Sequence, residues 1–492
     1  MKKYIITIDE GTTSEKVSLF DTSKNKIIAS HSLPLSTSFP QNGWVEQSAD
    51  EIWEKVKTSL SQIITDNKLN SENVIGIGIT NQREAVVAFN KNNGKALAPI
   101  ISWQCKRTAD FCNKLPQKTK DLIQDKTGLV IDSYFSATKM KWLLENNKNV
   151  IKSAKSEDLA LGTIDSYLIY KLTNGTSFST DTSNASRTML TNLNNPFEYD
   201  SELLKFFGIK KTFLPKILNS ADNFGTAQIC GLQVPILSCI GDQQSSLVGQ
   251  GCFNEGSAKI TYGTGGFLLI NHGTTPSKHN EKLLTTVAYS LGGQTIYAIE
   301  GSIFNVGSTL DFIKNHLNLF DEYKFVDTIC KTNTTDGLLF FPTFSGIGAP
   351  FWNPNLRGGI YGMTLATTKE QITKATVESF VYCLQEILDY LTSIKIKVTD
   401  IRCDGGLTKN KYLLDFQASL TNIPVLKTEE TESTTLGATY LAGLSAKTYS
   451  SLAEIEKLIK IANKYQPTKQ LATYSKENYK IWHNHLQKLL QP

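Results

Sequence analysis

Residues 6–22 read ITIDEGTTSEKVSLFDT. Apolar and polar residues alternate up to Asp9 and Glu10, a Gly-Thr-Thr-Ser stretch follows, and a second alternating run begins. Alternation on both sides of a glycine-bearing turn predicts a β-hairpin. Gly11, Thr12, Thr13 and Ser14 offer backbone N–H groups and hydroxyls, which together suit an anion. Two carboxylates set against an anion cradle leave two readings open. Either a divalent cation lies between acids and anion, or the cradle is only a turn.

The pattern has an echo half a chain later. Residues 258–271, AKITYGTGGFLLIN, again alternate around a Gly-Thr turn. Two such hairpins suggest an internal duplication. VIGIGITNQ (74–82) reads as a buried strand running into a polar loop, and IWEKVKTSLSQII (52–64) has helical spacing. PILSCIGDQQSSLVGQG (235–251) reads as strand, acidic turn and helix. VTDIRCDGGLTKNKYLLDFQASL (398–420) reads as strand, Gly-rich turn and helix. TTLGATYLAGLSA (434–446) is a helix whose small residues permit close packing. Alternating strands and helices predict an α/β fold. With 492 residues two or three domains are expected, and the glycines near 244–256 suggest two halves, 1–247 and 248–492.

Composition excludes several classes. A formal charge of +5 over this length, with no basic block interleaved with aromatics, argues against a nucleic-acid partner. No apolar run reaches the roughly 18 residues of a membrane span, so no stable membrane insertion is expected. MKKYIITID reads as a strand rather than a secretory leader. Eight scattered cysteines without a CxxC pair fit a reducing cytoplasm. His483 and His485 point different ways on a helix and read as solvated surface.

No GxxxxGK[ST] motif occurs, which excludes a P-loop nucleotide site. What remains is a set of acidic and Gly-rich turns at strand ends: Asp9 with Gly11–Ser14, Asp242, Gly263–Gly266, and Asp404–Gly406. Singly, each is an ordinary structural turn. Together they point to a polyphosphate, because ligands of open α/β sheets bind at the carboxyl ends of strands. Mg²⁺ would then make the acids tolerable beside phosphate.

Eleven stretches in register carry a resemblance to a known family. They are DEGTTS (9–14), GWVEQ (43–47), GITNQRE (78–84), WQCKRT (103–108), GTIDSYLIYKLTNG (162–175), TDTSNASRTML (180–190), GDQQSSL (241–247), TYGTGGF (261–267), GAPFWNP (348–354), DGGLTKN (404–410) and TTLGATYLAG (434–443). The chain resembles the FGGY carbohydrate kinases over essentially its whole length, and within them the members that phosphorylate glycerol. The resemblance implies two duplicated domains of the actin/hexokinase-type, ribonuclease H-like ATPase fold with an interdomain cleft. The N-terminal half would hold glycerol and the first phosphate hairpin, the C-terminal half the nucleotide and the second. It implies ATP-dependent conversion of glycerol to sn-glycerol 3-phosphate with Mg²⁺, serving glycerol catabolism and glycerolipid supply, in a homodimer or homotetramer.

Residue by residue, the resemblance makes Asp242 the catalytic base. Arg83, Glu84 and Gln243 would hold the glycerol hydroxyls, with Trp103, Tyr134 and Phe267 as apolar walls. Thr12, Thr13, Ser14, Lys16 and Thr264 fall at the phosphates, Gly307, Gly406 and Asn410 around the nucleotide, and Asp9 at the hydrated Mg²⁺. Read without the family, Arg83–Glu84 could be a surface ion pair, and the three aromatics could be plain core.

The match has departures. Glu15–Lys16 stands where the family usually has Ser-Arg, and Glu10 replaces a common Gln. Lys16 keeps the charge but lacks the guanidinium fork, so weaker phosphate recognition is expected. Asp311 replaces a Gln that often touches nucleotide. Two rival readings are another polyol or sugar kinase of the family, which the Arg83–Glu84 pair disfavours, and a degenerate kinase kept as a binding module. Some bacterial members carry a Gly-Gly-Thr-Arg loop for fructose 1,6-bisphosphate, whereas AQICGLQVPILS (227–238) is shorter and lacks Arg. Others carry a phosphorylated His shortly before it, but this chain has none between His31 and His272. Millimolar fructose 1,6-bisphosphate is therefore expected to leave turnover unchanged, and strong inhibition in a steady-state assay would contradict this.

Overall fold

The 6–22 stretch is a hairpin: β1 (Tyr4–Glu10) and β2 (Ser14–Asp21) pair antiparallel. The computed structural model describes residues 3–277 and 282–491. Adding β3 (Lys26–Pro34), β4 (Val74–Asn81), β5 (Thr226–Ile229) and β6 (Leu232–Gly241) gives a sheet ordered β5-β6-β4-β1-β2-β3. Strands β6, β4 and β1 run parallel. A second sheet contains β7 (Ser257–Tyr262), β8 (Gly266–Asn271), β9 (Asp400–Asp404), β10 (Val425–Thr428) and β11 (Ile461–Tyr465). Within its seven strands the run β8-β7-β9-β10-β11 repeats β2-β1-β4-β6-β5 strand for strand, with the hairpin antiparallel, the middle three parallel and the last antiparallel in both. The two hairpins are thus corresponding parts of a repeated α/β pattern. The 227–238 stretch is part of a tight hairpin that turns on Cys230 and Gly231, at φ 49° and 80°.

The chain forms two compact units, neither continuous in sequence. One takes residues up to Gly251, the stretch between His272 and Ala298, and Glu432–Leu458; the other takes Cys252–Asn271, Ile299–Thr431 and the chain from Ile459. A single boundary between 247 and 248 does not describe these units. The 272–298 stretch carries the strand Leu284–Leu291, and the rest of the physical reason lies in the helices. In chain order these include α1 (Ala49–Asp66), α2 (Ser136–Asn146), α3 (Thr182–Ser186), α4 (Asp242–Gly249), α5 (Gly307–Asn315), α6 (Lys369–Ser393), α7 (Lys411–Thr421), α8 (Ser433–Ser445) and α9 (Lys469–Leu490).

In the first unit, α1 starts at Ser48, whose hydroxyl accepts from the Glu51 N–H at 3.2 Å. Its stripe of Ile52, Val56, Leu60 and Ile63 packs in one core with Ile6, Ile8, Val17, Ile77 and Ile79. Each such burial contributes roughly 1.5–3 kcal/mol. The other face of the sheet receives α8, although that helix comes from near the end of the chain. Ile5, Leu237 and Ala442 cluster there, the Thr7 and Thr439 hydroxyls meet at 2.7 Å, and Ser238 Oγ donates to the Ala438 carbonyl at 2.7 Å. A sheet covered on both faces explains why VIGIGITN is apolar without alternation. In the second unit, α6 opens with a capping box between Thr368 and Gln371, and Trp482 of α9 is fully buried with its indole N–H on the Phe340 carbonyl at 2.8 Å.

Small residues let α8 approach α4. A Cβ on Gly437 would stand 1.9 Å from the Ser245 carbonyl oxygen, and one on Gly249 would stand 1.9 Å from that of Ser433. The hydroxyl of Ser245 donates to the Thr434 carbonyl at 2.6 Å. Gly437→Ala is expected to lower the unfolding free energy by about 1–3 kcal/mol, read from urea denaturation; an unchanged midpoint would contradict the close approach.

Glu15 is buried against α1. Its carboxylate accepts from the Ser59 hydroxyl, which lies 2.8 Å from His31 Nδ1. Burial pushes this carboxyl from 4.5 up to about 7. For a raised acid, the stabilising contribution is complete below the unfolded value and is lost as pH rises through the folded one. Glu15→Gln should therefore stabilise the protein at pH 8, by on the order of 1–3 kcal/mol, and leave stability unchanged near pH 4. Equal effects at the two pH values in chemical denaturation would refute this assignment.

Candidate functional site

The parallel strands β6, β4 and β1 end at one level, since Gly241 pairs with Asn81 and Asn81 with Glu10. Three of the expected groups therefore stand side by side. Asp9 lies at the end of β1, Arg83 and Glu84 follow β4, and Asp242 begins α4 directly after β6, without an intervening turn. Thr12, Thr13 and Ser14 form the adjoining hairpin end, closed by Gly11 N–H donating to the Ser14 carbonyl at 3.0 Å.

The aromatic side is fastened to that turn. Trp103 Nε1 donates to Thr12 Oγ1 at 3.0 Å, and Gln47 Nε2 donates to the Thr12 carbonyl at 2.8 Å. Trp103 and Tyr134 are half-buried and meet edge to face with centroids 5.6 Å apart. Tyr134 Oη lies 3.5 Å from an Arg83 guanidinium nitrogen. Arg83 Nε is 3.3 Å from Asp242 Oδ1, and the Gln243 backbone N–H donates to the same oxygen at 2.7 Å. Arg83 and Glu84 are 3% and 1% exposed, so the surface-ion-pair reading fails. The two aromatics are neither pure core nor surface.

Acids dominate the end of β1. Burial pushes Asp9 up to about 6, against the opposing pull of Lys16 and the Thr435 hydroxyl; Asp242 and Glu432 add to the rise. Thr435 Oγ1 donates to Asp9 at 3.0 Å. Lys16 Nζ is 3.9 Å from Asp9 and is held on Glu432, so its expected role toward phosphate competes with that carboxylate. Lys16 meets two carboxylates, Asp9 and Glu432, and the charge of Asp242 also acts on Asp9, which leaves an excess of negative charge and hard oxygen donors. That donor set fits Mg²⁺. Burial drives Glu10 well above the carboxylate range, only partly offset by the Gln82 amide at 2.9 Å.

Several contributors escaped the sequence reading. Arg187, fully buried, donates to Glu84 from Nε at 2.5 Å. Asp181 caps α3 by accepting from the Ser183 and Asn184 N–H groups at 2.9 Å each. Ser183 Oγ then accepts from the Gly241 N–H at 2.9 Å, and Asn184 exchanges two 3.1 Å bonds with Asn81. One five-residue helix thereby fixes the ends of β4 and β6. The TDTSNASRTML stretch carried the signal, but nothing in its residue types assigned these roles. Lys139 is also fully buried, and burial lowers it to about 7.

Thr264, Phe267, Gly307, Gly406 and Asn410 belong to the other unit. There the last pair, Tyr262 with Gly266, encloses the three residues Gly263–Gly265, where Glu10 and Glu15 enclose four, and Gly266 begins β8. The first N–H groups around α5 engage this turn: Gly307 N–H donates to the Gly263 carbonyl at 2.9 Å, and Val306 N–H to that of Thr264 at 3.0 Å. At the end of β9, Gly405 has φ 91°, and a Cβ there would stand 2.3 Å from the Tyr262 carbonyl oxygen. Gly406 is different: beyond its own chain neighbourhood, no described protein atom lies within 4 Å of where its Cβ would be. Asn410 caps α7, accepting from the Leu413 N–H at 3.0 Å. Phe267 is half-buried on β8, and Asp311 is exposed and bonded to the Tyr323 hydroxyl.

The N-terminal domain model of the FGGY family of carbohydrate kinases matches residues 4–249, and its C-terminal domain model matches 258–446. A glycerol kinase of Bacillus anthracis is 38% identical over 488 residues, 98% of each chain. One from Bacillus velezensis is 39% identical over 473 residues, 95% of each. A Plasmodium falciparum glycerol kinase, solved with ADP, superposes with TM-score 0.93 at 34% identity over 99% of this chain and 98% of that one. A ligand-bound xylulose kinase from Lactobacillus acidophilus shares the fold, with TM-score 0.89 at 23% identity over 99% and 98%. Two repeated sheets, carboxylates at the ends of their parallel strands and full-length matches in both domains give one conclusion: the chain belongs to the FGGY family of carbohydrate kinases.

Proposed function

We propose that the chain transfers the terminal phosphoryl group of ATP to glycerol, giving sn-glycerol 3-phosphate and ADP. The full-length likeness to glycerol kinases supports this reading. The observation that carries it is the buried Arg83–Glu84 pair beside Asp242, with Trp103 and Tyr134 next to it. A triol needs both donors and acceptors, with an apolar surface for its carbons. Arg83 donates, Glu84 accepts, Gln243 supplies an amide, and the aromatic pair covers the carbon chain. Phe267 belongs to the other unit, and its proposed part as an apolar wall rests on the family resemblance alone.

In the proposed reaction the terminal hydroxyl oxygen of glycerol forms a bond to the γ-phosphorus while the bond from that phosphorus to the ADP oxygen breaks. The hydroxyl proton passes to the Asp242 carboxylate. The transition state is loose, so positioning and charge neutralisation supply most of the acceleration. Thr12, Thr13 and Ser14 receive phosphate oxygens on one unit, and Thr264 on the other. Gly307, Gly406 and Asn410 serve the nucleotide. The open space at Gly406 supports this, since no protein atom requires a glycine there. Asp9 would hold hydrated Mg²⁺, which supplies charge neutralisation at the phosphates. The weak point of the nucleotide set is Lys16, held on Glu432.

A cytoplasmic location and a homodimer or homotetramer complete the reading. Free cysteines at all eight positions agree with a reducing compartment. Among the described residues no helix is long and apolar enough to cross a membrane.

Purified protein should release ADP from ATP in a glycerol-dependent manner, and chelation of divalent cations should stop it. No glycerol dependence beside strong turnover of xylulose or erythritol would replace the substrate assignment. Asp242→Asn should lower kcat by about 10²–10⁴-fold while calorimetric ATP affinity stays near that of the parent. Retained turnover would remove Asp242 as base.

A further inference from the structure

Glu84 is held in a conformation that its own side chain disfavours. Its φ is 63°, in the left-handed region, and it is 1% exposed. A non-glycine residue persists there only when its surroundings over-determine it. Two fully buried basic side chains grip it from opposite ends. Arg187 takes the carboxylate, with Nε at 2.5 Å. Lys139, on α2, takes the backbone: its ammonium is 3.4 Å from the Glu84 carbonyl oxygen, 3.2 Å from that of Phe135, and also bonded to that of Tyr134. Ser136 Oγ adds a second donor to the Glu84 carbonyl, at 3.1 Å.

An ammonium has three donors, and the three carbonyls come from two separate loops. One follows β4 and carries Glu84; the other precedes α2 and carries Tyr134. We infer that Lys139 is a positioning residue for the acceptor alcohol: it ties the Glu84 turn to the Tyr134 loop, so that the carboxylate and the phenol face the same substrate. This inference rests on the glycerol reading above. If Lys139 only filled space, an unbranched apolar chain of similar length would serve as well, since replacing a buried charge with a packed apolar group is often neutral for stability. The carbonyl contacts give it a different task. With them gone, the Glu84 turn loses the ammonium that draws its carbonyl inward, and the Tyr134 loop loses its link to that turn.

The test is a double-mutant cycle on the full chain, with kcat/KM for glycerol, KM for ATP and urea unfolding measured for each protein. Lys139→Met should lower kcat/KM for glycerol by about ten-fold or more, with the KM for ATP within about two-fold of the parent. Ser136→Ala, which deletes one bond to the Glu84 carbonyl and leaves the buried lysine in place, should act in the same direction by a smaller factor. Because Lys139 acts through Glu84, the double variant Lys139→Met/Glu84→Gln should be no worse than Glu84→Gln alone, apart from the small share owed to Tyr134. The inference is overturned by independent multiplication of the two losses, by an unchanged glycerol parameter in Lys139→Met, or by a parallel rise in the KM for ATP. If Lys139→Met does not fold, Ser136→Ala decides: an unchanged kcat/KM for glycerol overturns the inference. A parent protein without glycerol-dependent ADP release would instead sink the proposed function.

Discussion

Main chain packs against main chain where α4 meets α8. Gly249 and Gly437 leave no room for a Cβ on either side, so the helices sit closer than side chains ordinarily allow. The rest of the first unit depends on that contact. It seats α8 over Thr7 and Ser238 of the sheet, and it fixes α4, whose first residue is Asp242. A carboxylate at the first position of a helix anchored in this way keeps its direction, because the strand before it and the helix behind it are both immobilised. Precision at a site comes from rigid support, and here the support is backbone.

Charge is the second organising term. Asp9 and Glu10 are both raised by burial, so the folded chain carries an electrostatic cost at the end of β1. The side-chain hydrogen bonds here are neutral on the partner's side: Thr435 donates to Asp9 and Gln82 to Glu10, and Gln47 and Thr12 bond in turn to Gln82. A cation from solution would relieve the cost without moving any of them. Around Glu84 the balance is reversed. Arg83 and Arg187 crowd its carboxylate, Lys139 reaches its backbone carbonyl, and the residue is held in a strained turn. The first unit thus sets an acid-rich corner beside a base-rich one, as suits a reaction that brings a polyphosphate to a neutral alcohol.

Much of this was legible in the sequence. The two hairpins, the buried strand 74–81, the strand-to-helix passage at Asp242 and the small-residue helix near 434–446 all follow from periodicity and from glycine placement. The repeated strand order gives the duplication a firmer basis than the two turns alone could. Other features had no local signal. Nothing in TTLGATYLAG says which sheet it will cover, because small residues specify closeness and not a partner. Arg187, Asn184 and Lys139 act through contacts about 50 to more than 100 positions away, and periodicity is blind to such distances. The departure at Glu15 was visible as a change of residue, but its burial against Ser59 of α1 became apparent only from the packing of strand on helix.

The discontinuity of the first unit also bears on how the protein is made. Its sheet is complete once Gly241 has been synthesised, yet the helix that covers one face of it spans Ser433–Ser445. At about 5–20 residues per second, a ribosome needs roughly 10–40 seconds to supply the missing piece. Through that interval Ile5 and Leu237 lack the Ala442 that completes their cluster, so the nascent chain presents a sticky half-finished surface while its second half is still being translated. Chaperone demand during expression, and a sharp loss of yield on truncation before Leu458, are natural companions of such an architecture.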